Sequence, residues 1–128
     1  MTVKQLHKLA RSSGYSVGAF LFVQRGLEFT VQHVHGPLDE DAEVEVGMRH
    51  VTGRQLCEGL RDFAIDQYGM LARTVLRRWR IRSCEDFGHL VFAMIEADMM
   101  HKTEDDCLED FVGVFDFEQA FDPSVLMR

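Results

Sequence analysis

Arginine is the residue type whose spacing most clearly suggests binding chemistry in this sequence. The segment 73–82 carries five arginines and no acid, which gives it a charge of +5: Arg73, Arg77, Arg78, Arg80 and Arg82. On one helix, the side chains of Arg73, Arg77 and Arg80 would lie within about 60° of one another. Guanidinium groups bind carboxylates and phosphates well. We predict these three arginines as binding residues, against the alternative of a solvated face that pairs with the chain's own acids at 104–110.

Histidines are the second candidates. His33, His35 and His50 border an acidic loop and suggest a metal site, but residues i and i+2 of a helix point about 200° apart and cannot hold one ion. His50 and His101 each lie two residues before a predicted helix start, which is typical of a structural role. No serine-hydrolase, P-loop or dinucleotide-binding motif occurs. We therefore expect no catalytic residue, no metal, no cofactor and no enzyme.

Cysteines and overall charge bear on the compartment. Cys57, Cys84 and Cys107 are an odd number without a CxxC pair, so we expect reduced thiols, with Cys57 and Cys107 as small buried apolar residues. No apolar run is long enough for a membrane span. The net charge of −7 disfavours general affinity for nucleic acid or anionic membranes. The sequence thus predicts a soluble, cytoplasmic protein that does not bind membranes.

Helical periodicity dominates the chain, and only two prolines interrupt it. The pattern predicts six helices: 2–11, 16–34, 53–67, 70–80, 85–99 and 104–112. Hydroxyl residues at Thr52, Ser83 and Thr103 mark helix starts, and Gly69 marks a helix end. Within 70–80, Leu71 belongs to the apolar stripe of Val75, Leu76 and Trp79. His89 and Glu85 form an i, i+4 neighbour pair on the helix 85–99.

Two segments fall outside this helical pattern. Residues 36–49 are acidic and predict an exposed loop. The aromatic stretch 111–121 leads into a tail at 113–128, and we expect its phenylalanines to dock on the helices, because exposing each would forgo about 1.5–3 kcal/mol. The sequence pattern does not decide whether the backbone of this aromatic stretch forms a strand or a turn.

An internal duplication is a further expectation. Shifted by 72, residues 2–27 fall on 74–99, with Thr2 on Thr74, Phe20 on Phe92 and Val23 on Ile95. A shift of 51 then places Thr52 on Thr103. The chain would be one domain, 1–128, with a first repeat at about 2–67 that carries the loop 36–49, and a second repeat at about 70–112.

Three runs of the sequence resemble a bacterial family of short tandem-repeat proteins from planctomycetes and verrucomicrobial relatives. They are AFLFVQRGLEFTV, DFVGVFDFEQAF and the long middle run from HVTGRQLCEGL to SCEDFGHLVF. The resemblance implies a bacterial cytosolic protein and brings no activity, cofactor or catalytic residue.

The sequence as a whole predicts an all-α fold: a compact helical bundle of two duplicated three-helix repeats with a docked aromatic tail. The leading functional hypothesis is a non-enzymatic module that binds protein or self-associates. The alternative is a nucleic-acid-associated regulatory protein that uses the arginine-rich helix and a helix-turn-helix-like pairing of 70–80 with 85–99. A metal-dependent enzyme that uses the histidines is the weakest hypothesis.

Overall fold

The computed structural model describes residues 3–36, 51–98, 100 and 108–126. Within them the fold is all-α, as predicted, and no β-strand occurs. The helices are α1 (Val3–Ser13), α2 (Val17–His35), α3 (Gly53–Tyr68), α4 (Ala72–Arg78), α5 (Cys84–Glu96), α6 (Phe117–Ala120) and α7 (Pro123–Leu126). Two short 3-10 helices, Gly69–Leu71 and Leu108–Phe111, precede α4 and α6.

Local hydrogen bonds explain where the helices begin and end. The Thr52 hydroxyl accepts the Gln55 N–H at 3.1 Å, and the Gln55 side chain accepts the Thr52 N–H at 2.9 Å, which completes the predicted capping box. At the start of α5, the Asp86 carboxylate accepts the Ser83 N–H at 3.2 Å. α3 ends at Gly69, whose φ of 53° suits glycine.

Helix α2 lies against α1, α3 and α5 and supplies much of the core. Phe22 is its central aromatic side chain, with ring centroids at 5.4 Å from Phe63, 5.6 Å from Trp79 and 6.4 Å from Phe87. Gly59 of α3 faces Thr30 of α2 so closely that a Cβ at Gly59 would overlap the threonine side chain. The absence of a side chain there permits the close approach of the two helices.

The predicted helix 70–80 is wrong at both ends. Residues 69–71 form a 3-10 turn, and α4 ends at Arg78. Leu71 therefore belongs to the 3-10 turn and not to α4. Leu71 is 64% exposed, whereas Leu76 is fully buried. Arg80 lies beyond the helix, at a φ of 66°.

The chain after α5 also differs from the prediction. The described part of the predicted helix 104–112 is the 3-10 helix Leu108–Phe111. Short helices α6 and α7 follow, so the backbone there is neither a strand nor a simple turn. Phe111, Phe117 and Phe121 are buried, and the Phe117 ring centroid lies 5.7 Å from that of Phe87 in α5.

The duplicated three-helix repeat is not confirmed. The shift of 72 places Ser16, the N-cap of α2, on Gly88, which lies inside α5. Instead, five of the six buried positions of α2 coincide with buried positions of α5 at a shift of 68. The two registers differ by four residues, which rotates a helix by only about 40° and leaves the apolar face almost unchanged.

Several predicted features lie outside the described residues, among them most of the acidic loop 36–49, His50, His101, Thr103 and Cys107. None of the helices in the described ranges combines the length and the apolarity that crossing a bilayer requires.

Candidate functional site

The outward surface of the turn 69–71 and α4 carries an exposed stripe of apolar and cationic side chains. Its residues follow helical spacing, and we call them the Met-Arg stripe: Met70, Leu71, Thr74, Arg77 and Arg78. Met70 is 55% exposed and Leu71 is 64% exposed. The stripe contains no acid. Methionine and arginine are enriched at protein interfaces relative to other protein surfaces, so this composition is typical of an interface.

The structure separates the three arginines predicted as one site. Arg77 lies on the Met-Arg stripe and is exposed. Arg73 lies beside the stripe, and its guanidinium is 3.5 Å from Glu118 of α6. Arg80 lies past the end of α4 and donates a hydrogen bond to the Gly14 carbonyl at 3.3 Å. The expectation that Arg73, Arg77 and Arg80 share one helix face is therefore wrong for Arg80.

Among the described residues, one acid pairs with this cluster of arginines. The ion pair between Arg73 and Glu118 is exposed and therefore worth about 0–1 kcal/mol. In the part of the chain that the structure describes, Arg77 and Arg78 form no ion pair.

A second polar cluster joins the turn between α1 and α2 to the start of α5. The Tyr15 hydroxyl donates a hydrogen bond of 2.5 Å to Asp86 Oδ1. The other Asp86 oxygen accepts the Arg82 N–H at 2.8 Å, the Ser83 N–H at 3.2 Å and the Ser83 hydroxyl at 3.3 Å. His89 Nδ1 lies 3.4 Å from the Tyr15 Oη and 3.9 Å from Asp86 Oδ1. His89 therefore faces Asp86 and Tyr15 rather than pairing with Glu85 as the sequence suggested.

Burial, the hydrogen bond to Asp86 and the charge of that carboxylate raise the pKa of Tyr15 above its ordinary value of 10.0. The phenol therefore stays protonated and acts as a donor. A raised pKa makes Tyr15 a poor general base at neutral pH.

An open cleft of about 450 Å³ lies beside this cluster, lined by Ser13, Gly14, Tyr15, Arg80 and His89. Arg80 adopts a φ of 66° because it closes α4: its N–H donates to the Arg77 carbonyl at 2.9 Å, and the Ile81 N–H donates to the Leu76 carbonyl at 2.9 Å, a pattern that commonly ends a helix.

Four further candidates among the histidines and cysteines lie within the described residues: His33, His35, Cys57 and Cys84. His33 Nδ1 is 3.0 Å from the Phe29 carbonyl, one helical turn earlier. Among the described side chains, no group of three or more could hold a metal ion. Cys57 is fully buried, as expected, and Cys84 is also buried. The hydrogen bond to Cys84, together with burial, raises the pKa of Cys57 and keeps its thiol protonated.

Sequence reasoning missed the apolar half of the Met-Arg stripe and the whole cleft. For the stripe there was no signal, because the predicted helix 70–80 already began after Gly69 and its pattern placed Leu71 on the same face as Val75. For the cleft there was no local signal, because Tyr15 and Asp86 are 71 residues apart in sequence.

Comparisons with protein-family models, with curated proteins and with solved structures find no match to this chain.

Proposed function

We propose that this protein is a non-enzymatic interaction module whose Met-Arg stripe binds an acidic, amphipathic segment of a partner protein. The observation that carries the proposal is the exposure of Met70 and Leu71 next to the cations Arg77 and Arg78. A segment with apolar side chains at one end and carboxylates at the other complements this stripe. Arginine favours such a partner because its planar fork matches carboxylate geometry.

The expected energy is large enough to measure. Fully burying a side chain of this size contributes about 1.5–3 kcal/mol. Met70 and Leu71 keep 55% and 64% of their surface exposed, so covering both would contribute roughly half of that range for each. About 1.4 kcal/mol changes an affinity tenfold, so removing both apolar side chains should weaken binding by about tenfold or more.

A peptide selection tests the proposal without a known partner. Displayed random peptides are selected on the wild-type protein, and the selected sequences are then measured against two double variants. These are Met70→Ser/Leu71→Ser and Arg77→Gln/Arg78→Gln. Matched controls remove an exposed apolar and an exposed basic residue elsewhere, Val3→Ser and Arg54→Gln.

We expect the selected peptides to combine acidic and apolar residues, to lose affinity for both stripe variants and to keep it for both controls. Selection of basic peptides, absence of enrichment, or equal affinity for the stripe variants would each contradict the proposal. Sedimentation of the wild-type chain over a concentration series tests whether the partner is a second copy. Loss of any dimer in the same two variants would identify the stripe as its interface.

Nucleic acid is the alternative partner, because Arg77 and Arg78 are exposed on the helix that precedes the turn into α5. The net charge of −7 opposes it. Titration of labelled duplex DNA and RNA at several salt concentrations distinguishes a nucleic-acid partner from a protein partner. Tight binding at physiological salt, with a salt slope that flattens in Arg77→Gln/Arg78→Gln, would rank nucleic acid first.

We also propose a cellular compartment, an ancestral duplication and the docking of the C-terminal segment. Resemblance to the planctomycete tandem-repeat family and the free, buried thiols of Cys57 and Cys84 support a bacterial cytoplasmic protein. The matching burial patterns of α2 and α5 support an ancestral duplication of the helices around them. Burial of Phe111, Phe117 and Phe121 supports the docking of the C-terminal aromatic segment on the bundle.

A further inference from the structure

We propose that the partner of the Met-Arg stripe is a second copy of this chain, which offers the segment 108–112 to the stripe. This inference rests on the proposed function, because it names the acidic, amphipathic segment that the stripe binds. The segment consists of the 3-10 helix Leu108–Phe111 and of Val112. It combines exposed apolar side chains with exposed carboxylates.

The side chains of the segment 108–112 complement those of the stripe. Leu108 is 42% exposed and Val112 is 58% exposed. Between them in sequence, Glu109 and Asp110 are exposed as well. Contact with the two exposed apolar residues of the stripe would remove apolar surface from water on both copies.

The charges of the two surfaces are opposite. The segment 108–112 carries two acids and no base, whereas the stripe carries two arginines and no acid. Among the described residues, Glu109 and Asp110 form no ion pair, and Arg77 and Arg78 form none either. Guanidinium groups form directional, bidentate pairs with carboxylates, so a contact between two copies satisfies both sets of charges at once.

The two surfaces also match in length. From Met70 to Arg77 the stripe runs about 10 Å, at about 1.5 Å per residue. A rise of about 2 Å per residue gives the segment 108–112 a length of about 8 Å. Phe111 is buried and lies against Gly53 of α3 and Gly88 of α5. This anchor fixes the backbone of the segment, so that little ordering of the chain opposes binding.

The net charge of −7 on each copy does not prevent such a contact. At physiological ionic strength the Debye length is about 8 Å, so exposed charges farther apart than this are largely screened. Opposite charges in direct contact still attract each other. Both surfaces are small compared with the interfaces of stable complexes, so we expect a weak association, with a dissociation constant between micromolar and millimolar.

Reciprocal charge reversal in the full chain tests this contact. Arg77→Glu/Arg78→Glu makes the stripe acidic, and Glu109→Lys/Asp110→Lys makes the segment basic. Two matched controls reverse pairs of exposed charges elsewhere, Lys4→Glu/Lys8→Glu in α1 and Asp62→Lys/Asp66→Lys in α3. Each control changes the net charge by the same amount as the variant that it matches. Sedimentation equilibrium at up to about 1 mM protein and about 0.15 M salt measures the association of each chain and of the two reversed chains mixed.

We expect the wild type and both controls to self-associate. Each reversed variant alone should associate at least about tenfold more weakly, because like charges then face each other. An equimolar mixture of the two reversed variants should recover most of the association, since each surface again meets its opposite. Circular dichroism checks that every variant folds. Asp110 lies against Gly53 at the start of α3, so if the double segment variant does not fold, Glu109→Lys takes its place and must show both the loss and the recovery.

A wild-type chain that is monomeric at about 1 mM, a segment variant that associates as the wild type does, or a mixture that does not recover would each overturn the proposal. An equal loss in a control and in the variant that it matches would overturn it too. The peptide selection separates this inference from the proposed function. A monomeric chain whose stripe still selects acidic, apolar peptides would exclude the second copy as partner and leave the proposed function standing.

Discussion

Replacing Tyr15 with phenylalanine removes the hydroxyl that ties the turn before α2 to α5. The Tyr15 hydroxyl donates to Asp86 at 2.5 Å, across 71 residues of sequence, and lies 3.4 Å from His89 Nδ1. The phenylalanine ring would keep the edge-on contact with Phe20, whose centroid is 6.4 Å away. The change therefore removes the polar contacts of the hydroxyl and keeps the packing of the ring.

The magnitude follows from the partners that Asp86 keeps. A hydrogen bond to a charged group contributes about 1.5–3 kcal/mol when buried. Both residues are half-buried, and Arg82 and Ser83 bond the other oxygen of Asp86, so the change leaves Oδ1 without its donor. Because the Asp86 side chain is 21% exposed, water can replace that donor. We therefore expect a loss of about 1 kcal/mol in the free energy of unfolding. For a chain of this length, that corresponds to a fall in Tm of about 3–6 °C.

The same contact gives Tyr15 a signature in alkaline solution. Its folded pKa is raised above the ordinary value of 10.0, so above pH 10 the unfolded chain releases a proton that the folded chain retains. Stability from this group is complete below pH 10 and falls as pH rises toward the folded value. The difference in unfolding free energy between wild type and Tyr15→Phe should therefore shrink above pH 10.

Urea denaturation at a series of pH values measures both effects. Tyr68→Phe is the control, because the Tyr68 hydroxyl makes no hydrogen bond within the described part of the chain, and it should change stability by less than about 0.5 kcal/mol. A Tyr15→Phe variant as stable as wild type at pH 7, or a difference that grows in alkali, would refute the reasoning.

Two further variants test the helix contacts. Gly59→Ala gains about 1 kcal/mol of helix propensity but overlaps the Thr30 side chain, at a cost of about 1–3 kcal/mol. We expect a net loss in urea denaturation, and a gain would contradict the close approach of α2 and α3. Thr52→Ala removes a hydroxyl from the capping box of α3 and should cost about 1 kcal/mol. Thr52→Ser keeps the hydroxyl and should recover most of that loss in thermal unfolding.

Sequence reasoning succeeded where one local signal fixes one local structure. The hydroxyl of Thr52 and the amide of Gln55 are three residues apart, and this spacing alone predicts the capping box that the structure shows. Gly69 predicted the end of α3 for a similar reason, because a helix commonly stops at a residue that adopts positive φ. The all-α class followed from the sum of such signals.

The register between α2 and α5 and the contacts between distant residues could not be predicted from such local signals. An α-helix returns to nearly the same face after four residues, so the pattern of apolar residues cannot separate a shift of 72 from a shift of 68 between α2 and α5. Only the helix starts, at Val17 and Cys84, distinguish the two. The contact between Tyr15 and Asp86 depends in turn on that packing, so the cleft beside it had no sequence signature.

The Met-Arg stripe shows how a wrong burial assignment hides an exposed apolar surface. Treating residues 70–80 as one helix assigned Leu71 to the core and left a purely cationic face, which favours phosphates and acidic proteins equally. In the structure Leu71 is instead exposed beside Met70 and the arginines. Exposed apolar side chains gain nothing from a nucleic-acid backbone and much from an apolar partner surface. The exposure of Leu71 is therefore the reason for proposing a protein partner ahead of nucleic acid.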